Sequence, residues 1–223
     1  MKKLVLSVIL ASQLFTQASF AQSYPQLDVK AAVGETSVNF EVLEQSIQTL
    51  QQFAGTYPPV FDTIEDKERA QQDSAHIAHV FNVLLESKTI DAKNPEHQNQ
   101  FLMMARNAWV AHNLDLKGAR ENAKKYYLIA IALSPNQENK ALLQQEYGEF
   151  LTSAGWAKEG EQVLRQAVKL RPEAGYALGL NLLGQKKINP SAAVMKRYVQ
   201  KFPNDEKGKQ VYQALRAGTV HFK

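Results

Sequence analysis

The chain has 223 residues, a formal net charge of +4 and no cysteine. The absence of cysteine excludes a disulfide framework, a CxxC redox centre and covalent haem attachment. Basic and acidic residues are interspersed along the whole length, and this even distribution gives no support for binding nucleic acid or an anionic membrane surface.

The first 21 residues have the features of a secretory signal peptide. Two lysines precede a mostly apolar run, Leu4–Phe15, and small residues surround Ala21. This run is too short to cross a bilayer, which takes roughly 20 apolar residues. The sequence therefore predicts cleavage after Ala21, a periplasmic protein and no integral membrane span after cleavage; a short membrane anchor is the alternative. Cleavage lowers the net charge to about +2, because two lysines are removed.

The next segments lead into the helical part of the chain. Residues 22–36 have no helical period and contain a proline and a glycine, which predicts a flexible, extended lead-in. Residues 37–94 predict a pair of helices, the second of about 25 residues with Thr63 as its N-terminal cap. Asn94 is expected to cap the following helix, with Pro95 at its first position. No strand is predicted.

Residues 95–203 contain one pattern three times. In each copy a small residue of a first helix lies 12 residues before a small residue of a second helix, and a proline closes the copy. Small residues allow two antiparallel helices to approach closely, and a glycine suits the turn between them. The positions are Ala111, Gly118, Ala123 and Pro135, then Gly148, Gly155, Gly160 and Pro172, then Gly179, Ser191 and Pro203. The third copy lacks the turn glycine, so its turn is expected to be built differently.

This pattern resembles the tetratricopeptide repeat (TPR), which pairs large and small residues at fixed positions in two helices and ends in proline. The resemblance implies an all-α fold, a TPR-like α-solenoid of helix–turn–helix repeats in which residues 95–203 form three repeats and residues 204–223 form a capping helix and tail. The tryptophan typical of each repeat start is absent. The distance from the closing proline to the next small residue is 13 and then 7, so the two junctions are irregular.

The TPR resemblance implies protein recognition, in which first helices line a concave groove. The partner it predicts is an envelope protein or peptide segment, because the residues after Tyr198 resemble repeat ends of periplasmic members. The resemblance implies neither a cofactor nor a metal. The groove residues that it implies are Asn107, His112, Asp115, Gln145, Glu149, Thr152 and Tyr176.

Two other functions stay open on the sequence alone. Asp73, His76 and His79 follow one helical face at i, i+3 spacing and could hold the metal of a hydrolase. Self-association into a structural homo-oligomer is the second alternative. No nucleophile or phosphate-binding motif occurs, so the sequence predicts a protein without enzyme activity and without a catalytic residue.

Overall fold

Nine α-helices form most of the regular structure of the computed structural model, which describes residues 6–7, 23–34 and 37–221. The helices are α1 Phe40–Ala54, α2 Ile64–Glu86, α3 Gln98–Asn113, α4 Ala119–Ala132, α5 Gln137–Ser153, α6 Ala157–Leu170, α7 Ala174–Gly184, α8 Ile188–Lys201 and α9 Glu206–Ala217. Two 3-10 helices cover Val29–Ala32 and Pro95–His97, and two-residue strands, β1 Leu6–Ser7 and β2 Val220–His221, pair in parallel. The all-α fold class is confirmed. Apart from β1, the predicted signal peptide lies outside the described residues.

Side-chain caps set the starts of several helices where the sequence predicts them. Thr63 Oγ1 accepts a hydrogen bond from the backbone N–H of Asp66 at 3.0 Å, and α2 begins at the next residue. Asn94 Oδ1 accepts from the N–H of Glu96, and Pro95 occupies the first helical position, where no N–H is needed. The Thr63 cap is confirmed, and Asn94 caps the 3-10 helix Pro95–His97, which leads directly into α3.

The described residues divide into two compact units: an N-terminal unit that ends at Pro135, and a C-terminal unit that begins at Asn136 and includes β1. In the N-terminal unit, α3 packs against α1, α2 and α4. Buried side chains therefore occur all around α3, whereas α1 and α2 each bury one stripe. The unit boundary falls inside the stretch in which the sequence predicts three successive repeats.

The C-terminal unit, formed by helices α5 to α9, is built from helices that pack against their sequence neighbours. Each of these helices contacts the next one along the chain, and α5 also contacts α7. Leu164, Leu178 and Leu182 belong to one buried cluster, and Leu183 and Met195 belong to a second with α9. The last helix thus covers the apolar surface of α8 and keeps its charged side outward.

Small residues permit the closest helix approaches in the C-terminal unit. A methyl group added to Gly148 would lie 2.5 Å from Leu164 Cγ, and one added to Gly160 would lie 2.9 Å from the Gly148 carbonyl oxygen. At the equivalent positions of α7 and α8, Ser191 Oγ donates to the Gly179 carbonyl oxygen at 2.7 Å. In both helix pairs, the small residues 12 positions apart thus lie where the two helix backbones are in near contact.

The turn between α7 and α8 corrects one prediction. Lys186 adopts a left-handed backbone with φ 60°, and Gly155 adopts φ 86° at the same position between α5 and α6. In both turns this residue and its successor donate backbone hydrogen bonds to the last turn of the preceding helix. The third turn is therefore built like the second. The first turn differs, because both Asp115 and Gly118 are left-handed there.

The Lys186→Gly variant should be more stable than the Lys186→Ala variant. A left-handed backbone costs a residue with a Cβ roughly 1–2 kcal/mol and costs glycine almost nothing, so we expect a difference of about 1 kcal/mol. Urea unfolding followed by the fluorescence of Trp156, in a Trp109→Phe background, measures it. At Lys196, inside α8, the order of the glycine and alanine variants should reverse. The same order at both positions would contradict the prediction.

The lead-in also differs from its prediction. Tyr24, Val29 and Ala32 are buried, and the 3-10 helix Val29–Ala32 packs against α1 and α2. A segment whose apolar residues have no helical period can still be held in place when a few of its side chains pack into the core. Sequence periodicity does not indicate such contacts. In the described part of residues 22–36, these three side chains thus pack into the N-terminal unit.

Candidate functional site

The predicted binding residues fall in both units, and Asn107, His112 and Asp115 belong to the N-terminal one. Asn107 is 3% exposed, accepts a hydrogen bond from Ser74 Oγ at 3.1 Å and donates one to the Ser74 carbonyl oxygen at 3.0 Å. A buried amide that is paired in this way fixes the packing of α2 on α3. Asn107 is therefore mainly a packing residue, and only a small part of its side chain is accessible to a partner.

His112 and Asp115 lie at the end of α3 and in the following turn. Burial lowers the pKa of the His112 imidazole, and the nearby Arg120 guanidinium lowers it further. Asp115 forms an ion pair with Lys67 of α2 at 3.0 Å, and Gln71 Nε2 donates to the Leu114 carbonyl oxygen at 2.8 Å. These contacts join the turn to α2, so Asp115 is already engaged within the unit.

Beside Asn107, helices α2, α3 and α4 enclose an open cleft of about 370 Å³, which we call the α2–α4 cleft. Its apolar floor includes the buried residues Ala108, Ala111 and Ala119, and the exposed Ala75 and Ala78 line it on the α2 side. Phe81, Met104 and Leu116 complete the apolar lining. Its polar lining consists of Ser74, His79, Asn82, Asn107, Lys117, Asn122 and Tyr126. The lining contains no carboxylate. The cleft can therefore accept an apolar group together with neutral or acidic polar groups.

This cleft was not predicted from the sequence, although a signal for it is present there. Ala75 and Ala78 are three residues apart on α2, as Ala108 and Ala111 are on α3. Paired small residues on two adjacent helices leave space above them that no side chain fills. Only the packing of α2 against α3 shows that these pairs share one surface, so the periodicity of either helix alone is insufficient.

The face formed by Asp73, His76 and His79 does not assemble as a ligand set. The Tyr24 hydroxyl donates to Asp73 Oδ2 at 2.9 Å, whereas His76 and His79 are exposed. Across the described ranges, no group of three or more His, Cys, Asp or Glu side chains is arranged to hold a metal ion.

In the C-terminal unit, Thr152 is part of an internal hydrogen-bond network. Its hydroxyl donates to the Gly148 carbonyl oxygen at 2.7 Å and accepts from Asn181 Nδ2 at 2.7 Å. Asn181 also donates to the Ala157 carbonyl oxygen and accepts from Gln185. The network joins α5, α6 and α7, so Thr152 holds these helices together.

Gln145 and Glu149 lie one turn apart on α5. Gln145 Nε2 donates to Glu149 Oε1 at 3.0 Å, and Arg171 Nε donates to Gln145 Oε1 at 2.9 Å. Burial raises the pKa of the Glu149 carboxyl, and this effect outweighs the hydrogen bond from Gln145 and the charge of Arg171. A half-buried carboxylate that receives one amide hydrogen bond retains capacity to accept from a ligand.

Tyr176 makes mostly apolar contacts on α7. Its ring lies 5.7 Å from the ring of Tyr198, centroid to centroid, and packs against the buried cluster of Leu183, Met195 and Leu215. Burial raises the pKa of the Tyr176 hydroxyl. The ring therefore contributes to packing, and only part of it is accessible to a partner.

Replacing Glu149 with glutamine should stabilise the C-terminal unit at pH 7. A carboxyl whose folded pKa is raised destabilises the fold once it ionises, and stability returns as pH falls through the folded pKa towards the ordinary value. The gain from Glu149→Gln should therefore vanish in acid. Urea unfolding at pH 7 and at pH values below the ordinary glutamate pKa, about 4.3, measures the difference.

Glu161→Gln is the matched control of opposite sign. Burial alone would raise the pKa of Glu161, but hydrogen bonds from Lys187, Arg165 and Gln185 lower it overall. Its ionised form therefore stabilises the fold above the ordinary pKa, and this contribution is lost as pH falls through the lowered value. Glu161→Gln should destabilise the unit at pH 7. Equal shifts for both variants would contradict the assigned pKa directions.

Comparisons of this chain with protein-family models, with curated proteins and with solved structures gave no significant match. Within the described residues, none of the helices combines the length and the apolar character that crossing a bilayer demands.

Proposed function

We propose that this chain is an exported, TPR-like helical scaffold that binds a segment of a partner protein in the cell envelope and has no enzyme activity. The proposal is supported by the all-helical fold and by helix pairs that meet at small residues 12 positions apart. The contact between α5 and α7 places the first helices of two successive pairs side by side, as stacking of repeats into an α-solenoid requires.

The observation that carries the binding proposal is the α2–α4 cleft. An open depression with an apolar floor and a few polar groups around it is a typical binding site. Its alanine floor leaves room for a side chain of another molecule, and buried contacts between Ser74 and Asn107 keep the floor in place. The cleft thus provides a preformed surface, which lowers the entropic cost of binding.

The lining also indicates the chemistry of the partner segment. Asn82 and Asn122 offer amides that can donate to and accept from a peptide backbone, and His79 and Lys117 supply the ionisable groups. Because no carboxylate lines the cleft, a segment with basic side chains gains no charge pairing there. We therefore propose a neutral or acidic segment with a small apolar anchor residue.

Peptide selection with matched cleft variants tests the proposal. Displayed random peptides are selected on the purified protein, and their dissociation constants are measured by isothermal titration. Ala78→Trp fills the cleft from an exposed position on α2, and Ala132→Trp places the same side chain at an exposed position on α4 outside the cleft lining. Neutral or acidic peptides should bind to Ala78→Trp at least tenfold more weakly than to the wild type. They should bind to Ala132→Trp with the affinity of the wild type.

Two results would contradict the binding proposal. Selected peptides that bind both tryptophan variants like the wild type would place binding outside the cleft. Selected peptides that are predominantly basic would contradict the charge argument. The proposed export is checked separately by the mass of the protein recovered from the periplasm, which should begin at Gln22 if cleavage follows Ala21.

A further inference from the structure

The segment before α1 inserts one aromatic side chain into the N-terminal unit. Tyr24 is 1% exposed, and its ring contacts the edges and faces of Phe53 and Phe61, with centroids 5.2 and 5.8 Å away. The two phenylalanines lie at the end of α1 and in the loop that leads to α2. They form an apolar slot that closes around a single ring.

Three side chains of α2 contact the polar atoms of this tyrosine. Asp66 Oδ2 accepts from the Tyr24 backbone N–H at 3.2 Å, Arg69 Nη2 donates to the Tyr24 carbonyl oxygen at 2.9 Å, and Asp73 Oδ2 accepts from the hydroxyl at 2.9 Å. Arg69 also pairs with Asp66 and so holds both backbone contacts in place. Residues 66, 69 and 73 lie on one face of α2. We call the five side chains of Phe53, Phe61, Asp66, Arg69 and Asp73 the Tyr24 slot.

The residues beside Tyr24 take little part in this contact. Ser23, Pro25, Gln26 and Asp28 are exposed, Leu27 is half-buried, and full burial resumes at Val29. The slot thus contacts one residue at its N–H, its carbonyl oxygen and its side chain, while the adjacent residues Ser23, Pro25 and Gln26 are exposed. Recognition of this kind is characteristic of a peptide-binding site and differs from a core layer, in which neighbouring residues are buried together.

We infer that the Tyr24 slot is a recognition site for a tyrosine in an extended segment, and that the chain's own residues 23–28 occupy it in an exchangeable way. The occupant in trans is the same segment of a second copy. Within one chain the short exposed connection to Val29 gives the segment an effective concentration of the order of millimolar, which favours occupancy in cis. This inference concerns another surface than the α2–α4 cleft and does not rest on the proposed function.

The slot distinguishes tyrosine from phenylalanine. Phenylalanine fills the same apolar space but leaves Asp73 without the hydroxyl donor. Loss of a hydrogen bond to a carboxylate weakens binding by roughly tenfold to a hundredfold. A segment with alanine at this position retains only the two backbone contacts and should not bind measurably.

The test uses the full-length Tyr24→Ala variant, whose slot is empty, and a synthetic peptide with the sequence of residues 23–28. Titration followed by NMR of the labelled protein should show saturable binding, with a dissociation constant below about 0.1 mM and shifts centred on Asp66, Arg69 and Asp73. The phenylalanine version of the peptide should bind at least tenfold more weakly. Wild-type protein should also bind the peptide at least tenfold more weakly, because Tyr24 competes in cis.

Absence of saturable binding to a folded Tyr24→Ala variant would overturn the inference, as would equal affinity of wild type and variant. If the variant does not fold, amide hydrogen exchange on the wild type decides. Local release predicts that the Tyr24 N–H exchanges at least tenfold faster than the slowest amides of α2, after correction for intrinsic rates. If the Tyr24 N–H is protected as strongly as the slowest amides of α2, Tyr24 is a fixed core residue and the inference that its segment can leave the slot is wrong.

Discussion

Gly160→Ala is expected to lower the free energy of unfolding of the C-terminal unit by about 2 kcal/mol. The new methyl group would lie 2.9 Å from the Gly148 carbonyl oxygen and 3.1 Å from Asn181 Nδ2. The first is a backbone atom of α5 and the second belongs to a buried, hydrogen-bonded side chain, so neither can move away cheaply. Overpacking of this kind costs about 1–3 kcal/mol, and alanine returns no more than about 1 kcal/mol in helix propensity.

Gly179→Ala is the matched comparison. Its methyl group would meet the Sδ and Cγ atoms of Met195, which is a flexible side chain that can adopt another rotamer. We expect a loss at least about 1 kcal/mol smaller than for Gly160→Ala, because only one side chain must adjust. Urea unfolding with Trp156 as the single fluorophore compares the two variants. Equal losses, or a more stable Gly160→Ala variant, would contradict the close contact between α5 and α6.

The helices could be predicted from the sequence because their signals are local. Thr63 and Asn94 can cap a helix wherever the chain folds, and apolar periodicity marks the buried stripe of a helix without reference to its neighbours. The spacing between Gly148 and Gly160 similarly belongs to one helical hairpin. Features that depend on a few neighbouring residues were therefore accessible before the structure.

The sites were less accessible because they depend on contacts between distant parts of the chain. Asn107 is buried by Ser74, which lies 33 residues earlier, and Tyr24 is bound by Asp73, which lies 49 residues later. A polar residue on a helix has the same local sequence signal whether it is exposed or paired in the core. The left-handed Lys186 was missed for another reason, since only the required turn geometry shows that a lysine occupies a position typical of glycine.

Thr152 is a partner-binding residue according to the repeat resemblance, whereas in the structure its hydroxyl joins neighbouring helices. Asn181 is fully buried, and its side chain makes hydrogen bonds at 2.7 Å to Thr152, 2.9 Å to the Ala157 carbonyl oxygen and 2.7 Å to Gln185. Asn181→Leu removes all three, so that Thr152 keeps only its bond to the Gly148 carbonyl oxygen and Gln185 keeps only its bonds to Glu161 and the Ala157 carbonyl oxygen. We expect the free energy of unfolding to fall by about 2–3 kcal/mol.

A double-mutant cycle with Thr152→Val separates the two roles of Thr152. If Thr152 acts through Asn181, both single variants lose the same hydrogen bond. The sum of their losses in unfolding free energy should then exceed the loss of the double variant by about 1 kcal/mol. Thr152→Val should then leave peptide affinity unchanged while it lowers stability. Additive losses together with weaker peptide binding would instead assign Thr152 to a partner. Because the valine variant keeps the shape of the side chain, neither result can be attributed to a cavity.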